Sequence, residues 1–76
     1  MTTFDRITVN PAMLGGQPCI RGMRLTVRRV VEAVSVYRTW DAVLAEYPEL
    51  QPEDIRQALE FAATNLDDHV IELPAA

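Results

Sequence analysis

One cysteine, one histidine, three glycines, no lysine and an aromatic content of 7% are the scarcities of this 76-residue chain, and each excludes something. Cys19 alone cannot close an intramolecular disulfide. Cys19 and His69, fifty residues apart, cannot fill the four ligand positions of a structural zinc site. No long apolar run is present, and the opening MTTFDRITVN has no basic segment leading into one, so neither a secretory signal nor a membrane anchor is expected. The expected location is the cytoplasm. The length leaves room for one domain over residues 1–76, and a chain so short buries only about 60% of its unfolded surface. With disulfide and metal excluded, self-association is the expected staple.

The net charge of −4 conceals a division. Residues 1–40 hold six arginines (Arg6, Arg21, Arg24, Arg28, Arg29, Arg38) against Asp5 and Glu32, a balance of +4. Residues 41–76 hold Arg56 against nine acids, a balance of −8. One end suits an anion and the other a cationic partner, or two copies suit each other.

Elements follow from the spacing. Phe4, Ile7 and Val9 read as a strand that ends at Asn10-Pro11. Met13–Arg24 holds all three glycines and Pro18, which predicts turns around a very short second strand at Cys19-Ile20. Beyond Thr26, an N-cap residue, Val27, Val30, Val31 and Val34 share one helical stripe. Trp40, Val43, Leu44 and Tyr47 form a second stripe after Thr39, stopped by Pro48. A third helix opens at Pro52 with Glu53 and Asp54 in its first turn and Ile55, Leu59, Ala62 and Leu66 inward, Ala58 and Phe61 standing at the margins. Gln51 is a weak N-cap there. The expected fold is mainly α: a β-hairpin region at 4–25, a three-helix bundle at 26–66 with helix-turn-helix (homeodomain-like) proportions, and a tail at 67–76.

The chemistry-bearing residues point to binding. Arg21, Arg24, Arg28 and Arg29 gather just before and within the first helical turn, where phosphate contact is favourable; the alternative is pairing with acids of this chain or of another subunit. On the third helix Arg56 and Gln57 are the side chains suited to base edges, among carboxylates that repel a polyanion. Trp40, Tyr47 and Phe61 read as core, and Cys19 as a small buried apolar side chain. GGQP lacks the Lys-Ser/Thr of a phosphate loop. Glu53 and Asp54 point about 100° apart on a helix and cannot share a substrate atom. No nucleophile, base and orienting group assemble, so neither an enzyme nor a resident cofactor or metal is expected.

The string Ile7-Thr8-Val9-Asn10-Pro11, the run Gly15-Gly16-Gln17-Pro18-Cys19-Ile20-Arg21-Gly22-Met23-Arg24-Leu25-Thr26-Val27, and the junction Tyr47-Pro48-Glu49-Leu50 with Glu53-Asp54-Ile55 together resemble a bacterial domain family of unknown function, number 433, described as VapB-type antitoxin-like. Met23 stands where the family usually has Thr, and Tyr37 near the Gly that usually ends the first helix. The resemblance implies a helix-turn-helix domain that forms a homodimer, often through its N-terminal strands, and an antitoxin that neutralises a PIN-like nuclease toxin with its C-terminal part. Operator DNA is a second expected partner. Asp67, Asp68, Val70, Ile71 and Leu73 are the expected toxin contacts, combining charge with an apolar edge. The competing expectation is a dimeric adaptor that binds no DNA.

Overall fold

A computed structural model of the chain describes residues 4–66 and 73–74. Along it run β1 (Ile7–Thr8), β2 (Cys19–Ile20), α1 (Val27–Tyr37), α2 (Trp40–Glu46) and α3 (Pro52–Thr64). The chain is mainly helical, with one antiparallel two-stranded hairpin in which Ile7 faces Ile20 and Thr8 faces Cys19. The first strand is shorter than the apolar pattern from Phe4 to Val9 predicts. Its two residues meet the only two of β2, and Val9 is left 60% exposed.

Between the strands, Leu14, Gly15 and Gly16 all have positive φ, a left-handed turn closed by the Gly16 N–H on the Met13 carbonyl at 2.9 Å. After β2 the chain reverses over Arg21 (φ 44°) and Gly22 (φ 72°), with the Met23 N–H donating to the Ile20 carbonyl at 2.8 Å. Two consecutive positive φ values define a type I′ reversal, which suits glycine and strains arginine. The returning chain donates and accepts along β2: the Ile20 N–H reaches the Leu25 carbonyl at 2.9 Å, and the Val27 N–H reaches the Pro18 carbonyl at 2.9 Å. The hairpin thereby feeds directly into α1.

Each helix starts where local chemistry dictates. Thr26 Oγ1 accepts from the Arg29 N–H at 3.0 Å, and Thr39 Oγ1 accepts from the Ala42 N–H at 3.2 Å. The first helix ends on Arg38 in the left-handed conformation (φ 69°), whose N–H donates to the Val34 carbonyl at 3.0 Å. A non-glycine thus occupies the position glycine favours. Tyr47–Gln51 link α2 to α3 without the periodicity of either helix.

The core is Ile20, Val27, Val30, Ala33, Val43, Leu50, Ile55 and Ala58. The buried face of α1 is turned toward Ala33 relative to the valine stripe, leaving Val31 and Val34 half-buried. In α3, Ala58 lies inside, whereas Leu66, expected on the inner stripe, falls two residues beyond the helix end and is 74% exposed. Trp40 does not join a core with Phe61 as expected. It is 38% exposed, and Phe61 instead meets Phe4 edge-to-face at 5.3 Å between ring centroids. The difference is one of position: Trp40 is the first residue of α2, whereas Phe61, late in α3, faces the N-terminal segment. Cys19 is buried, as its apolar neighbours imply.

Candidate functional site: an arginine-lined groove at the start of α1

Six of the seven arginines divide into three groups by what they touch, and Arg38 stands apart at the end of α1. Arg6 and Arg21 converge on Asp54, whose side chain is fully buried at the start of α3. Arg21 donates from Nε to Oδ1 at 3.1 Å and from Nη2 to Oδ2 at 2.9 Å, and Arg6 Nη1 donates to Oδ1 at 3.1 Å. The Gln51 N–H donates to Oδ2 at 2.8 Å, so Asp54 also caps its own helix. Burial alone would raise this carboxyl's pKa. The hydrogen bonds from Arg21, the Gln51 amide and Arg6 outweigh it and hold the group below the usual aspartate value. Arg21 is held charged in return by the same contact. Gln57, also buried, completes the clasp: its Oε1 accepts from the Arg6 N–H at 3.0 Å and its Nε2 donates to Asp5 Oδ1 at 2.6 Å.

Placement therefore departs from expectation for two residues assigned to DNA. Arg21 directs its guanidinium at Asp54 and at the Glu49 carbonyl (2.7 Å), and Gln57 is only 3% exposed. Both tie the N-terminal segment to α3. A third, Arg56, is held by Glu53 and Glu60 on the outer face of the same helix. The hydrogen bonds of Arg56 and then Gln57 depress Glu53 to about 2.

Arg24, Arg28 and Arg29 behave differently. All three are exposed and line one groove of about 350 Å³ with Gln17, Thr26 and Glu32. Arg28 pairs with Glu32 at 2.9 Å, an exposed contact between successive turns that stabilises the helix little. Arg24 and Arg29 make no ion pair among the described residues. Two of these arginines lie in the first turn of α1, where no acid is present and the helix dipole favours anions. This is an arrangement that local rules disfavour, and such departures concentrate at functional positions. Backbone donors contribute less: the Val27 and Arg29 amides are already occupied by Pro18 and Thr26, so an anion in the groove would be held chiefly by guanidinium groups.

Leu73 is 82% exposed, while Asp67, Asp68, Val70 and Ile71 lie outside the described residues, as does His69. Sequence reasoning missed Arg6, Gln51 and Asp54. The available signal was Asp54 itself, four residues before Ala58 and so on the same side of α3 as a core position.

A small helical domain headed by a hairpin, with an internal carboxylate clasp and a cationic groove at its first helix, is the class these features define. The chain belongs to the family described as "Protein of unknown function (DUF433)", which it matches over residues 7–62. It is 36% identical over 59 residues to the uncharacterized protein y4eO of Sinorhizobium fredii (strain NBRC 101917 / NGR234), covering 78% of this chain and 27% of that protein. The chain thus spans about a quarter of the length of that curated relative. The crystal structure of a DUF433 member from Anabaena variabilis ATCC 29413 superposes with a TM-score of 0.73 at 31% identity, covering 80% of this chain and 60% of that one. Among the described residues no helix is long and apolar enough to cross a membrane.

Proposed function

We propose that this protein is a non-catalytic binding domain of the antitoxin type, which grips the phosphates of operator DNA with Arg24, Arg28 and Arg29 and engages a PIN-like toxin through its C-terminal segment. The observation that carries the DNA part is the opening of three exposed arginines onto one groove at a helix start free of acids. In this reading α2 and α3 have helix-turn-helix proportions, yet α3 is not the helix that reads bases: Gln57 is buried and Arg56 is neutralised by Glu53 and Glu60. The grip moves to α1. The acidic second half and the exposed Leu73 support the toxin part.

The test is a gel shift with the DNA upstream of the protein's own gene at rising salt. Binding should weaken steeply with salt, and each of Arg24→Ala and Arg29→Ala should lower the slope by about 1. Absence of a shift at low salt overturns the DNA reading.

The acid-neutralised outer face of α3 favours a second reading, an adaptor whose groove arginines meet carboxylates of a protein partner. It gives no shift at any salt.

A further inference from the structure

A second depression, of about 410 Å³, lies between α1 and α3 and is apolar, walled by Pro18, Val27, Val31, Phe61 and Ala62 and ending at Asn65. Gln17, Thr26, Arg28 and Glu32 line both this depression and the arginine groove. The two are therefore one trough, cationic at the start of α1 and apolar toward the end of α3. No described element covers it.

Such a trough fits a segment that carries carboxylates beside aliphatic side chains. The chain contains one: Asp67-Asp68-His69-Val70-Ile71-Glu72-Leu73-Pro74. It belongs to the half with a balance of −8, opposite in sign to the half that builds the trough. It also follows α3 at Asn65, a trough residue. Within a single copy, Leu66 and Leu73 are 74% and 82% exposed, so the described residues leave both uncovered. We propose that the trough receives segment 67–74 of a second copy, with Asp67 and Asp68 at the arginine end and Val70, Ile71 and Leu73 at the apolar end. Reciprocal exchange between two copies forms the contact twice about a two-fold axis. It also adds apolar burial to a domain whose own core is small. In the exchanged dimer the tail occupies the groove arginines and is itself occupied, so this state excludes the DNA-bound and toxin-bound ones rather than resting on them.

Sedimentation velocity on the full chain tests it. Wild type should sediment at twice the monomer mass, and the double variant Ile71→Asp/Leu73→Asp at half the wild-type mass. Val31→Glu should also give monomer with an unchanged circular dichroism spectrum. Because Val31 borders the core, the exposed Arg28→Glu serves as a second trough variant. An equimolar mixture of a trough variant and the tail variant should recover dimer, since one intact trough and one intact tail remain. A monomeric wild type at every concentration overturns the proposal, whether the segment folds onto its own trough or serves a different protein. A dimer indifferent to the tail variant overturns it equally.

Discussion

Arg21 and Asp54, 33 residues apart, meet through two guanidinium nitrogens and two carboxylate oxygens at 2.9–3.2 Å. Arg21 does so from a backbone conformation (φ 44°) that arginine rarely adopts. The ion pair and the strained turn imply each other: the reversal after β2 aims the side chain at α3, and the carboxylate holds the reversal in place.

Removing the carboxylate is expected to be costly. Asp54→Asn leaves two guanidinium groups facing a buried site without their counter-charge and weakens the cap on α3. Destabilisation of about 3 kcal/mol is expected, measured by urea denaturation. A loss below about 0.5 kcal/mol would show that the clasp contributes no stability.

Arg21 separates charge from backbone strain. Arg21→Ala loses the ion pair and keeps the strained φ, whereas Arg21→Gly loses the ion pair and relieves it. Arg21→Gly should therefore melt above Arg21→Ala, reversing the usual order of glycine and alanine. The usual order would show that the turn relaxes once the arginine is gone.

Acid should destabilise the fold in a defined window. Glu53 falls from its ordinary 4.5 to about 2 through hydrogen bonds from Arg56 and Gln57, and Asp54 is held low by Arg21, Gln51 and Arg6 against the opposing effect of burial. Both folded values lie below the unfolded ones. Their contribution is thus complete above the unfolded values and is lost as the pH falls toward about 2. The melting temperature of Glu53→Gln should drop less than that of wild type across this range, and an identical acid limb would contradict the assignment.

Arg38→Gly should stabilise. Its φ of 69° at the end of α1 suits glycine, and no ion pair among the described residues involves Arg38. A gain of about 1 kcal/mol in urea denaturation is expected. A loss would mean that the side chain makes contacts worth more than the backbone relief.

What the sequence made legible was local. Thr26 reads as an N-cap because a hydroxyl three residues before an amide needs nothing from the rest of the chain, and that cap forms; Thr39, which precedes the second stripe, caps α2 in the same way. Pro52 opens α3 for the same reason, and Cys19-Ile20 emerges as a two-residue strand between turns. Long-range pairing was not legible. Six arginines stand in the first forty residues, and nothing in their spacing separates Arg6 and Arg21, which reach Asp54, from Arg24 and Arg29, which line the groove. Glu53 and Asp54 look interchangeable as helix-start acids, yet one is bound by Arg56 at the surface and the other is sealed inside. That choice is fixed by which side of α3 faces the hairpin, a tertiary fact. Trp40 is a further case: periodicity places it on the inner stripe, while in the fold it is the first residue of α2 and 38% exposed.

The placement of Asp54 has a consequence for synthesis. Its amide-capping oxygen also receives Arg21, and Arg6 reaches the neighbouring oxygen from 48 residues upstream. The hairpin, though translated first, cannot lock its own reversal until the third helix has left the ribosome. Assembly is thereby deferred to the moment when both ends are present, and folding should register as one concerted event rather than as a hairpin followed by a bundle.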